Sequence, residues 1–199
     1  AEALVPVHAQ SLVPTLKRVT IPVRGLDRRL DGMRIAQISD THIGATLGLD
    51  HLARAVDVVK GIRPDLFVHT GDLLDDADLA RPCLDLMSTV KAPYGRFWAL
   101  GNHESYAGRD EVVAVARAHR GMRLLVDEDV TVSVQGARFH VSGVDYDIRR
   151  ETRKSRFFLL PYPRVSFRRT FPDMQKQFDA FRGRMGDADF RLCLAHHPS

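Results

Sequence analysis

The chain has 199 residues, enough for one sizeable core and too few for two comfortable domains. Its 44% apolar and 27% charged residues are ordinary globular composition, which excludes disordered and fibrous classes. A formal net charge of +4 favours polyanionic partners without singling out nucleic acid.

The first sixteen residues are apolar, carry two prolines and show little periodicity, so they read as an irregular arm or linker ahead of a domain over 17–199. The chain starts at Ala1 with neither a charged n-region nor a signal-like apolar core, and reads as a piece of something longer. No apolar run approaches the roughly eighteen residues of a membrane-spanning helix. Alternation over Lys17 to Arg24 predicts a first strand, and Leu26 to Gly32 a turn.

A regular rhythm follows. Met33 to Ser39, Leu66 to Thr70 and Phe97 to Leu100 read as buried strands. Amphipathic helices follow them over about 49–60, 78–90 and 110–119. Strand, loop and helix in alternation predict right-handed βαβ units and a parallel sheet. Val130–Val134 and Ala137–Val141 flank Gln135-Gly136, a hairpin signal that opens a mostly antiparallel portion. A helix is expected over Phe171–Arg184 and a last strand over Arg191–Ala195. Cys83 and Cys193 sit in apolar contexts and read as buried thiols, and two cysteines make no disulfide framework.

The polar residues of interest lie at the carboxyl ends of the predicted strands, where open α/β sheets bind their ligands. Asp40 and His42 follow the first, Asp72 and Asp75 the second, Asn102, His103 and Glu104 the third, and His196 and His197 the last. Each has a bland reading alone: Asp after a strand is often a helix cap, and Asn before a helix a turn residue. Four separate strand ends supplying one mixed oxygen and nitrogen donor set outweighs those readings. Carboxylate, amide and imidazole ligands suit Mn, Fe or Zn ions better than a thiolate-seeking metal.

Asp40-Thr41-His42, Gly71-Asp72-Leu73-Leu74-Asp75 and Gly101-Asn102-His103-Glu104, in that order, resemble the calcineurin-like metallophosphoesterase superfamily. Ala195-His196-His197-Pro198 is similar to its strand-end histidine motif, and the resemblance runs from about Arg34 to Ser199. It implies an α/β sandwich of two mixed sheets flanked by helices and a site for two divalent metal ions. Asp40 and His42 would bind the first ion, Asp72 would bridge, and Asn102 and His196 would bind the second. His103 would stabilise or protonate the leaving oxygen, with Asp75, His197, Arg149 and Arg150 around the site or substrate and Glu104 structural. The implied reaction is in-line attack of metal-bound hydroxide on the phosphorus of a phosphodiester, phosphomonoester or pyrophosphate.

The superfamily's closing Gly-His-x-His segment is absent, since the sequence stops at Ser199, and the reading favours C-terminal truncation with weakened metal binding. Between Ile148 and Thr170, eight Arg and Lys residues face one acid, Glu151, with Phe157, Phe158, Tyr162 and Phe167 interleaved. This is either a solvated loop packed on the sheet or a surface for an amphiphilic substrate or anionic membrane. The stretch around the first motif looks like the branch containing bacterial membrane-associated phosphodiesterases, which favours a lipid-linked phosphate substrate and membrane association of the parent protein. The competing classes are a non-catalytic scaffold on the same fold and a nuclease; the first is disfavoured by the retained ligands, the second by the lack of other basic tracts.

Overall fold

A computed structural model describes residues 14–145 and 187–196, together with Asp179 and Gly183. Strands β1 (Ile35–Ile38), β2 (Leu66–Thr70), β3 (Arg96–Ala99) and β4 (Arg123–Leu124) form one sheet in the order β1-β2-β3-β4, and every pairing in it is parallel. Helices α1 (Leu49–Ile62), α2 (Ala80–Ser88) and α3 (Asn102–Ala118) connect those strands. A second sheet joins β5 (Glu128–Val134) antiparallel to β6 (Ala137–Gly143), and β6 parallel to β7 (Phe190–Leu194). Gln135 and Gly136 turn the hairpin with φ of 51° and 86°, the paired positive values that a two-residue type I′ loop requires.

Period-two alternation in β2 and β3 separates two cores. Phe67 and Trp98 face the helices and pack with Leu52, Val56, Cys83, Met87 and Val112. Leu66, Val68, Phe97 and Ala99 face the second sheet and pack with Val134, Phe139, Val141 and Leu194. All five residues of β2 are buried, as expected of a central parallel strand covered on both faces. Burying a side chain such as Phe67 contributes about 1.5–3 kcal/mol, so these layers hold the strand ends rigidly in register.

Several elements depart from expectation. No strand forms over 17–24. Val19 and Ile21 are 67% and 75% exposed, because alternation yields a strand only where a neighbouring strand completes the ladder. α3 begins at Asn102, eight residues before its expected start, and passes through a kink at Gly108, whose φ of 123° only glycine adopts without strain. The short β4 carries too few residues to show a period. The predicted helix over 171–184 lies outside the described residues apart from Asp179 and Gly183, which are helical. So do the basic stretch with Arg149 and Arg150, and His197.

Candidate metal centre

The parallel sheet brings three loops together at one edge, and the backbone continues the ladder beyond the strands. Asp40 N–H donates to the Gly71 carbonyl at 3.0 Å, His42 N–H to the Asp72 carbonyl at 3.1 Å and Ile43 N–H to the Leu73 carbonyl at 3.0 Å. The turns this demands place Asp40, His42 and Asp72 at φ of 56°, 44° and 54°. Left-handed backbone at a residue other than glycine costs on the order of 1 kcal/mol, and strain of this kind concentrates at functional sites. A β-carbon at Gly71 would lie 2.7 Å from the His196 ring and 2.8 Å from the Gly101 α-carbon, so the second motif needs its glycine.

Glu104 fastens the third loop to the second. It is fully buried; its Oε1 accepts from the N–H groups of Leu73 (2.6 Å) and Leu74 (3.4 Å), and its Oε2 from those of Gly101 (2.6 Å) and Asp72 (3.1 Å). Burial pushes its carboxyl above the usual range, against the pull of the Gly101 and Leu73 N–H groups.

Asp72 stands at the middle with its two oxygens divided. Oδ1 accepts the His103 backbone N–H at 2.9 Å. Oδ2 faces three imidazoles: His196 Nε2 at 3.1 Å, His42 Nε2 at 3.7 Å and His103 Nε2 at 3.9 Å. Two donor groups therefore share Asp72, one with His42 and His103 and one with Asp40 and His196, each with its ligand atoms within 4.8 Å of one another. Burial works against the charge on Asp72, but the His196 hydrogen bond and the His103 N–H hold its carboxyl below the usual range. Burial likewise works against charge on His196, and Asp72 outweighs it and raises the imidazole.

The histidines are oriented from behind. His196 Nδ1–H donates to the Thr70 carbonyl at 2.9 Å, which turns Nε2 toward Asp72 and Asp40. Asp75 Oδ1 takes the Nδ1 of His103 at 2.7 Å and that of His42 at 3.2 Å. The His103 ring lies edge-on between His42, at 4.3 Å between centroids, and the exposed Tyr106, at 5.4 Å. Asp40 is the most open of the acids and is hydrogen-bonded by the Ser39 hydroxyl. Asn102 is buried at the first residue of α3, beside His103.

Sequence reasoning passed over His69. It sits in β2, fully buried, with its Nε2 3.4 Å from the Thr41 hydroxyl, which itself donates to the Leu73 carbonyl at 2.8 Å. The only signal for it was a polar residue inside an apolar strand. Burial first, and then His196, lowers its pKa from 6.5 to about 3. A histidine neutral when folded binds its proton more readily when unfolded, so its contribution is intact above pH 6.5 and is lost as pH falls toward 3. The metal-free protein is expected to lose about 2 kcal/mol between pH 8 and pH 5 from this group. Urea titrations at both pH values would show it, and His69→Leu should flatten the difference; an unchanged difference would refute the assignment.

The donor types, their convergence on one carboxylate oxygen and the backing hydrogen bonds fit divalent ions bound by oxygen and nitrogen. Residues 33–199 match the calcineurin-like phosphoesterase family, and the chain belongs to that family. It is 34% identical over 117 residues to the UDP-2,3-diacylglucosamine pyrophosphatase LpxG of Chlamydia trachomatis, a match covering 55% of this chain and 36% of that protein. It is 36% identical over 94 residues to a transmembrane protein with metallophosphoesterase domain of Danio rerio, covering 47% of this chain and 22% of the relative. Among solved structures, phosphopantetheinyl hydrolase from Mycobacterium tuberculosis shares the fold at a TM-score of 0.50 and 19% identity, over 83% of this chain and 68% of that one. The chain spans about a third or less of the length of the first curated relatives it matches. Among the described residues no helix is long and apolar enough to cross a membrane.

Proposed function

We propose that this domain hydrolyses phosphate esters at a site for two divalent ions. The observation that carries the reading is that Asp72 belongs to both donor groups, its Oδ2 facing His196, His42 and His103 while Oδ1 is held by the His103 N–H. Asp40, His42 and Asp72 would hold one ion and Asp72, Asn102 and His196 the other, an assignment carried by the motif resemblance; the donor groups in the structure instead pair His42 with His103 and Asp40 with His196 around Asp72. Asp40 Oδ1 and His196 Nε2, donors assigned to neighbouring ions, stand 3.9 Å apart. When bound, the two ions supply a nucleophile at neutral pH and offset charge building on the phosphoryl oxygens.

The chain's own residues do the rest. His103, its ring fixed by Asp75, presents Nε2 to the reacting group and gives a proton to the departing oxygen as its bond to phosphorus breaks. Asp75 also orients His42, so one carboxylate sets both a ligand and the proton donor. His196 keeps its Nε2 pointed inward through Thr70.

For substrate we favour an amphiphilic phosphate, such as a lipid-linked pyrophosphate, working at a membrane surface. The basic and aromatic composition of 148–170 supports this, as do the relatives named for a diacylglucosamine pyrophosphatase and for a transmembrane protein. The test is hydrolysis of an aryl phosphodiester with added Mn²⁺, and of a lipid-linked pyrophosphate in mixed micelles. Turnover should vanish with chelator and return with metal. No turnover of either substrate by the metal-loaded full-length protein would refute the hydrolase reading; activity on the aryl ester alone would refute only the amphiphilic one.

A further inference from the structure

At the opposite end of the parallel sheet, the chain gathers positive charge around a recess of about 490 Å³. Arg34 precedes β1, Lys60 and Arg63 close α1, and Lys91 follows α2; Pro64, Asp65 and Pro93 lie beside them in the wall. These are the amino ends of the strands, whereas the metal ligands stand at the carboxyl ends. Four- and five-residue strands separate the two ends by roughly 15 Å.

The charges do not cancel. Asp65 is the one acid of the lining, and it is committed to Arg34, accepting its backbone N–H at 2.7 Å with the guanidinium Nε at 3.5 Å. Arg34 also donates to the Ile62 carbonyl at 3.1 Å, which fixes it as a wall. Lys60 leans on the exposed Asp57 at 3.1 Å. Arg63 and Lys91 have no carboxylate partner among the described residues. Cations beside helix C-termini offset the helix dipole, which accounts for some of this charge. Two helix ends, however, amount to about one negative charge in total, and with Asp65 and Asp57 they still leave about one positive charge from the four cations. The recess keeps a net positive field.

We propose that this recess is an anion-binding site, separate from the metal centre, that takes a phosphate-type oxyanion with Arg63 and Lys91 as its principal contacts. Guanidinium and ammonium groups on rigid, proline-framed loops suit a tetrahedral oxyanion, and the volume admits a pyrophosphate. The ligand is either a soluble phosphate or the headgroup of an anionic lipid, which share this chemistry.

The test uses the whole chain after chelator treatment, so that the metal centre does not compete. Inorganic pyrophosphate is titrated calorimetrically at low salt, and sedimentation is measured with phosphatidylcholine vesicles with and without phosphatidylglycerol. Arg63→Ala/Lys91→Ala should weaken the interaction by at least about tenfold while the thermal melt falls by only a few degrees, on the order expected for two charges lost at helix C-termini. Pyrophosphate binding that is lost in the variant identifies a soluble phosphate; loss confined to anionic vesicles identifies a lipid headgroup. Equal binding by both proteins, or no binding of either probe by the unaltered chain, overturns the proposal. Metal-loaded turnover of an aryl phosphodiester should be the same in both proteins, so the outcome here is independent of the hydrolase reading.

Discussion

Asp72→Ala is expected to remove both metal ions together and to bring hydrolysis to background. Asp72 is the residue common to both donor groups, and its Oδ2 lies 3.1–3.9 Å from three imidazole nitrogens. Without its charge, two dications a few ångströms apart would repel strongly in a partly buried site. Alanine also strips the acceptor from the His103 N–H, so a second variant is needed to separate metal loss from damage to the loop. Asp72→Asn keeps a carbonyl oxygen for that N–H and removes only the charge. Elemental analysis after dialysis against Mn²⁺ should find about two ions per unaltered chain and few in either variant. Full occupancy in Asp72→Asn would contradict the bridging role.

His103→Ala should behave differently. It leaves Asp40, His42, Asp72, Asn102 and His196 in place, so metal content should hold while kcat falls by roughly 10²–10⁴, the range for losing a general acid. Asp75→Asn weakens the support of both His103 and His42, and should lower kcat while also loosening metal by roughly 10–100-fold. The contrast is informative because the His103 Nε2 lies at nearly the same distance from Asp72 as the His42 Nε2 does. If His103→Ala loses metal as completely as Asp72→Ala, His103 is a ligand, and the proton must come from elsewhere.

Much of this centre was legible before any coordinates, because parallel strands announce themselves as apolar runs and the chemistry follows each run directly. β2 matched its predicted bounds at Leu66–Thr70, since the apolar run Leu66-Phe67-Val68 is bracketed by the breakers Pro64 and Gly71. The extended segment over 17–24 misled for the opposite reason: its alternation is real, but strand formation is decided by a partner and not by the segment. The early start of α3 was hidden by Gly108 and by the polar run Asn102–Ser105, which reads as a loop until Glu104 is seen accepting four backbone N–H groups. The role of Asp75 was equally hidden. Spacing puts it beside the candidate ligands, but only geometry shows one oxygen serving two rings. Pattern marks His69 only as a polar residue inside an apolar strand, because its environment is made by residues distant in sequence.

His103 and Glu104 are neighbours in the chain, yet one helical step of about 100° sends the first to the open cleft and the second into the interior. Their failures would therefore look unlike each other to a cell. If His103 is the proton donor proposed above, a lesion at 103 leaves a folded protein with its metal site intact and its chemistry lost. A lesion at 104 releases the loops of the second and third motifs together, and what is lost is the protein itself.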